Sequence, residues 1–280
     1  MQAIKDLGHE LVAAMDPHDS VGILDRYFLE TDFFTEIERF DRHLDKLRRQ
    51  GKGIDYLVVC SPNYLHDAHI RFGLRLGADV VCEKPLVLNS WNLDALSEIE
   101  KETGRKIFTI LQLRLHPQVI KLKKRIDAGS PDKIYEIQLD YLTTRGKWYD
   151  YSWKGDVSKS GGIATNIGIH FFDMLIWIFG DVVENKVGKI SPNYASGELH
   201  LAQAKVNWRL STDSHQLPEK VKAKGGKTYR ALMIDGEEFE FSGGFTDLHT
   251  RSYADILEGG GFGIDETGKA VALVGKIRNG

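Results

Sequence analysis

Residues 56–63 read Tyr56-Leu57-Val58-Val59-Cys60-Ser61-Pro62-Asn63, and residues 79–85 repeat the plan as Asp79-Val80-Val81-Cys82-Glu83-Lys84-Pro85. Each is a short apolar, β-branched run closed by a polar turn that contains proline, the way a buried strand ends. Helix-compatible stretches follow, to about Leu76 after the first and from about Ser90 to Thr103 after the second, and a third strand fits Ile107 to Ile110. Strand, turn and helix in succession predict right-handed βαβ units and therefore a parallel sheet. Towards the N-terminus, Ile37, Phe40, Leu44 and Leu47 recur at helical spacing, Glu10 to Met15 is a short strand-like run entering Asp16-Pro17, and Gln2 to Leu7 reads as a helix closed by Gly8.

Beyond Gln112 the texture changes. Tyr135, Ile137, Leu139 and Tyr141 alternate with mostly polar residues, the mark of a strand with one wet face. Leu199 and Leu201, then Ala204, Val206, Trp208 and Leu210, are further strand stretches whose change of parity implies a turn or bulge between them. Asp235-Gly236 predicts a hairpin, and apolar helices are expected at about Gly168 to Phe179, Leu248 to Leu257 and Ala270 to Ile277. The expected fold is α/β: a Rossmann-like parallel-sheet domain over residues 1–112, then an α+β domain with an open-faced antiparallel sheet over 113–280. An uncovered sheet face carrying Tyr and Trp predicts a homo-oligomer, a dimer or a tetramer.

The chain has 280 residues and a formal charge of −3, with acidic and basic residues interspersed. That composition gives no reason to expect a nucleic acid or an anionic membrane as partner and favours a small-molecule ligand. The longest apolar stretches, such as Phe171 to Phe179, are shorter than a membrane span, so a cytoplasmic protein is expected. Cys60 and Cys82 each end a strand and read as core residues, and no ligand set for a metal is apparent.

In a parallel sheet, ligands bind at the carboxyl ends of the strands. Asp16, with Pro17, sits where a carboxylate accepts hydrogen bonds from the adenosine ribose and repels a 2′-phosphate, which favours NAD; a simple capping turn is the equal alternative. In Glu83-Lys84-Pro85, an ionisable pair follows a buried strand and is fixed by proline. A lysine there can hydrogen-bond a substrate hydroxyl and stabilise the alkoxide formed as hydride leaves. Farther on come Gly161-Gly162, Asn166, Gly168, His170 and Asp173. The glycines allow close backbone approach, Asn166 and His170 share a helical face, and a histidine at the mouth of such a helix can take the hydroxyl proton.

Together, Glu83-Lys84-Pro85 and the Gly161 to Asp173 cluster resemble the glucose–fructose oxidoreductase, inositol dehydrogenase and rhizopine-catabolism family of NAD(P)-dependent enzymes. The resemblance implies a catalytic Lys84 and His170. It also implies cofactor contacts from Ser61, Asn63 and His66 in the turn after Cys60, and from Glu83, Lys84 and Gln112. Within the family, Leu111 to Pro117, Arg145 to Tyr149 with Ser152 to Gly155, and Ala164 to Asp173 are similar to the bacterial UDP-N-acetylglucosaminuronate 3-dehydrogenases of lipopolysaccharide O-antigen synthesis. That likeness implies a UDP-sugar substrate held by Arg114, Arg145, Lys147, Trp153, Lys154, Asn166 and His170, with 2-oxoglutarate as the hydride acceptor in some relatives. A same-family dehydrogenase of a free sugar or inositol, and a sugar-nucleotide-binding module without catalysis, are the alternatives.

The family begins with a strand ending in Gly-x-Gly-x-x-Gly/Ala, whose amides hold the cofactor's pyrophosphate. This sequence contains no such segment, and Met1 falls where the helix after that turn is under way. The expectation is a shortened first domain, a product of an internal start or a trimmed reading frame.

Overall fold

A computed structural model describes residues 1–18, 22–241 and 243–280. In the first half, α1 (Gln2–Asp6) precedes β1 (Ala13–Met15), which pairs in parallel with β2 (Asp32–Phe34). α2 (Ile37–Arg49) buries Phe40 and Leu44 from the row that its helical spacing marks out. Three parallel strands follow, β3 (Tyr56–Val59), β4 (Asp79–Cys82) and β5 (Ile107–Thr109), linked by α3 (His66–Arg75) and α4 (Trp91–Thr103). The parallel sheet is therefore present, in two pieces: no ladder joins β1–β2 to β3–β4–β5 among the described residues. α3 lies close on this sheet because Gly73 has no Cβ; a methyl there would stand 2.7 Å from Val80 Cγ2. β2, only three residues long, is too short to show a period, and the sequence reading passes over it. Cys82 is a core residue as expected, whereas Cys60, one residue past β3, is exposed.

In the second half, α5 (Pro117–Asp127) starts with proline in its first turn and with the His116 ring accepting from the Gln118 amide. Then come β6 (Tyr135–Thr143), α6 (Lys147–Tyr151), α7 (Val157–Ser160) and a π-helical turn, Ala164–Gly168, that runs into α8 (Ile169–Phe179). β7 (Val182–Ser191), β8 (Tyr194–Leu201), β9 (Ala204–Ser211), α9 (Glu219–Lys222), β10 (Thr228–Ile234), β11 (Glu237–Glu238), α10 (Leu248–Leu257) and α11 (Ile264–Asn279) complete the chain. The sheet order is β11-β10-β6-β9-β8-β7.

This sheet is mixed rather than wholly antiparallel, because β6 and β9 run parallel from Tyr135 beside Ala204 to Leu142 beside Ser211. The crossover through α8 delivers β7 in the direction of β6 at the far edge, and two hairpin steps then bring β9 back in that same direction. α8 covers one face, where the Phe172 ring meets Trp208 edge-on at 5.2 Å. Tyr135 and Tyr141 pack on the same side against Phe179 and Phe171. The aromatic residues that suggested a sticky open face thus belong to the covered one. The open face carries Glu136, Gln138, Glu198, Lys205 and Asn207, with the Asp140 carboxylate 2.9 Å from Arg209 Nε.

The stretch Val157–Phe179 is 23 residues long and apolar enough to cross a membrane by length and composition, contrary to the sequence reading, but 78% of its apolar window is buried inside the fold. It is the central core helix. α11 packs against α8 and the π turn and also against α4 and β5, while α10 meets α1 and the turn at Gln112–Leu115. One hydrophobic core runs through both halves as a result.

Candidate active site

β4 ends at Cys82, so Glu83 and Lys84 emerge at the carboxyl edge of the parallel sheet. The π turn lies across from them. A π turn widens the helix by one residue, and here the Asn166 carbonyl accepts a 2.7 Å hydrogen bond from Lys84 Nζ. Asn166 Nδ2 in turn donates to the Tyr149 hydroxyl at 3.0 Å. Lys84, Asn166 and His170, which lies in the first turn of α8, line one cavity of about 310 Å³. Gln112, Leu113, Tyr141, Arg145, Trp148, Tyr149 and Lys154 also line it, with Arg230 on β10 and Phe245.

Electrostatics follow from that enclosure. Burial brings the Lys84 ammonium down to about 8, with Glu83 opposing and Lys154 adding to the shift. Burial also holds His170 well below the ordinary imidazole value, helped by the charges of Lys84, His249 and Arg230, so its ring is neutral at pH 7 and free to accept a proton. The cavity lining contains four basic side chains, Lys84, Arg145, Lys154 and Arg230, and no Asp or Glu among the described residues. Lys154 Nζ stands 5.3 Å from the Trp148 ring centre, and the Arg145 guanidinium is 5.9 Å from that of Tyr149. Such a pocket repels cations and is matched to a polyanion with a planar part.

Several residues expected in the site hold the scaffold instead. Arg114 is buried, its Nε and Nη2 at 3.0 and 2.7 Å from the two Asp173 oxygens, and it also donates to the Glu266 carbonyl. Its guanidinium carbon lies 5.9 Å from the Trp177 ring centre and 5.1 Å from that of Phe262, and it does not line the cavity. Asp173 is occupied by the same pair. Lys147 is exposed and does not line the cavity; α6 turns the next two residues, Trp148 and Tyr149, towards it instead. Trp153 likewise is not in the lining; its ring centre is 5.6 Å from Lys154 Nζ.

At the cofactor side, Asn63 is buried and its amide donates to the Ser160 carbonyl at 2.9 Å, tying the β3 turn to the second half of the chain. His66 is buried with its two ring nitrogens 2.7 and 2.8 Å from the Pro85 and Ser61 carbonyls, and burial lowers its pKa. Both therefore brace the turns that would meet a nucleotide instead of facing it. Ser61 Oγ bonds to the His69 ring at 2.9 Å. Glu83 pairs with His249 on α10 at 3.1 Å; burial works to raise the Glu83 carboxyl, but that hydrogen bond and the charges of His249, Lys84 and His66 together outweigh it, and the net shift is down. Asp16 accepts from the His18 amide with one oxygen and has no partner for the other among the described residues. Asp16, Ser61, Glu83 and Gln112 thus follow the carboxyl ends of β1, β3, β4 and β5, the end at which parallel strands bind ligands.

The sequence reading missed Arg230, His249, Tyr141 and Phe245. For Arg230 a signal existed: it shares strand parity with the buried Leu232 and Ile234, and an arginine on the apolar face of a strand needs a reason. Nothing local marks His249.

A parallel βαβ sheet feeding a lysine into a cavity closed by the core helix of an open-faced sheet defines a two-part dehydrogenase. The model of the oxidoreductase family's NAD-binding Rossmann fold matches residues 2–110, and that of its C-terminal alpha/beta domain matches residues 123–200. The chain belongs to this glucose–fructose oxidoreductase, inositol dehydrogenase and rhizopine-catabolism family. It is 48% identical to the WlbA (WbpB) dehydrogenase of Thermus thermophilus solved with NAD and alpha-ketoglutarate, at a TM-score of 0.96, covering 99% of this chain and 89% of that one. The same Thermus protein solved with NAD and UDP-GlcNAcA gives 47% identity, a TM-score of 0.95 and the same coverage. Among curated relatives, inositol 2-dehydrogenase of Rhizobium meliloti is 30% identical over 131 residues, a match spanning 46% of this chain and 37% of that protein.

Proposed function

We propose that this protein oxidises the 3-hydroxyl of UDP-N-acetylglucosaminuronic acid with NAD, the chemistry of O-antigen sugar synthesis. The observation that carries this reading is the cavity itself: a proton-accepting His170 and a Lys84 donor in one pocket that has four basic side chains and, among the described residues, no carboxylate in its lining. The substrate carries a diphosphate and a carboxylate, and a free sugar or inositol carries neither. NAD bound at the strand ends supplies the hydride acceptor. His170 accepts the hydroxyl proton as Lys84 hydrogen-bonds the same oxygen and offsets the charge that develops on it. Asn166 orients Lys84 through its carbonyl and, with Tyr149, one wall of the sugar site. Asp16, Pro17, Ser61, Glu83 and Gln112 are proposed to meet the nucleotide, and Arg145 and Lys154 the UDP phosphates.

Support for the substrate and cofactor comes from the 47–48% identical Thermus dehydrogenase, solved with NAD and with UDP-GlcNAcA. Its complex with alpha-ketoglutarate supports 2-oxoglutarate as the acceptor that re-oxidises NADH. A cytoplasmic location fits substrates of this kind. The open polar face of the six-stranded sheet is proposed to join copies of the chain, and light scattering on the eluting protein should then give a dimer or tetramer mass; a monomer mass would contradict it.

The functional test is a substrate panel read by NADH formation. UDP-N-acetylglucosaminuronic acid should be oxidised, with glucose and myo-inositol at background. Turnover of the free polyols with none of the nucleotide sugar would replace this reading by the inositol-type one. Binding of the nucleotide sugar with no turnover in the presence of NAD would support a non-catalytic module.

A further inference from the structure

Arg230 lines the cavity from β10, directly beside Tyr141 in the β6 register. Its guanidinium carbon lies 4.4 Å from the Phe245 ring centre, 5.5 Å from Phe241 and 5.6 Å from Tyr141. Its Nε is buried without a hydrogen-bond partner among the described residues. A buried N–H with no acceptor is costly, so such a donor implies a partner that arrives with the ligand. The aromatic rings around the cation offer it their π-faces and no in-plane acceptor for the Nε–H, and a carboxylate is the group that matches the planar N–H fork. No Asp or Glu among the described residues lines the cavity to supply one.

Resting on the functional reading above, we infer that Arg230 binds the C6 carboxylate of the uronic acid and is the residue that selects an acidic sugar over its neutral counterpart. The alternative anion, the diphosphate, is assigned to the cations around Trp148, which is 68% exposed and therefore marks the open mouth. The carboxylate leaves the ring at C5 and the UDP at C1, each two positions from the reacting C3 and on opposite flanks of it. Arg230 is correspondingly near His170, close enough for its charge to act on the imidazole. With the 3-hydroxyl at His170 and the UDP led out to the mouth beside Trp148, the opposite flank of the ring, C5 with its carboxylate, is turned to the inner wall that carries Arg230.

Calorimetric titration of UDP-N-acetylglucosaminuronic acid and of UDP-N-acetylglucosamine, each with NADH present, tests this on the native chain, R230M and R230K. The native chain should prefer the acidic sugar. R230M should weaken its binding on the order of 100-fold while leaving the neutral sugar nearly unchanged, and R230K, which keeps the charge but loses the fork, should fall between. Equal weakening of both ligands would move Arg230 to the diphosphate and overturn the inference, as would an unchanged preference. If R230M does not fold, R230K decides: a loss of about tenfold or more confined to the acidic sugar sustains the assignment, and none refutes it. If the native chain binds neither ligand, the functional reading itself falls and takes the inference with it. If the native chain binds the acidic sugar but the variants keep its preference, only the role of Arg230 falls.

Discussion

A lysine whose pKa sits at about 8 changes its chemical role within the range where an enzyme is assayed. Below that value Lys84 is an ammonium that can stabilise a developing alkoxide; above it the charge is gone. His170, held low by burial, is neutral on both sides of pH 7 and already competent as a base. Activity should therefore be level near neutrality and fall as pH rises through about 8, measured as kcat/KM against pH. A rise through the same range would make Lys84 the base and contradict the assignment. K84M should lower kcat by roughly 100-fold or more with the UDP-sugar still bound. Arg114 gives the opposite kind of prediction. R114M strands a buried Asp173 and should cost about 3–5 kcal/mol in urea unfolding, whereas a substrate contact at the surface would cost under about 1. At this scale, Lys84, Asn166 and His170 were legible because each lies in a motif with unusual neighbours. Arg114 and Arg230 were exchanged, one buried as scaffold and the other overlooked in the cavity, because charge alone does not say which arginine already has a carboxylate.

Among the elements, the π turn at Ala164–Gly168 matters most to the site. It presents the Asn166 carbonyl to Lys84, and its last residue is glycine because a Cβ at Gly168 would stand 2.7 Å from Leu210 Cδ1 and 2.8 Å from Phe172 Cε2. G168A should lower stability by about 1–3 kcal/mol and reduce kcat with it, since the wall that carries Asn166 must shift. Thermal unfolding and turnover of the same preparation check both; an unperturbed variant would show that the close packing is not needed. The sequence marked this helix by its apolar run but could not mark the π turn, whose extra residue leaves no compositional trace. The parallel β6–β9 pair was equally hidden. Period-2 patterning reports which face of a strand is wet and says nothing of its direction. β2 was too short for any period, whereas the two-residue β11 was legible through the Asp235-Gly236 turn that pairs it with β10.

Over the whole molecule, the βαβ reading held for β3, β4 and β5 because full burial leaves continuous apolar runs with polar turns after them. What sequence texture could not show is that α10 and α11, last in the chain, return to pack on α1, α4, β5 and the turn at Gln112–Leu115. The Glu83–His249 pair exists only because of that return, and it joins a strand end to a helix 166 positions away. The cavity is likewise a product of the whole fold, drawing Lys84 from β4, His170 from α8 and Arg230 from β10. The central claim is that these parts remove hydride from C3 of an acidic UDP-sugar. UDP-N-acetylglucosaminuronic acid carrying deuterium at C3 tests it most directly, with the label followed by mass spectrometry after incubation with NAD. The account predicts deuterium in the NADH formed and a sugar product lighter by the transferred deuterium and the hydroxyl proton. Oxidation with the label retained in the sugar would place the chemistry at another carbon and contradict the account.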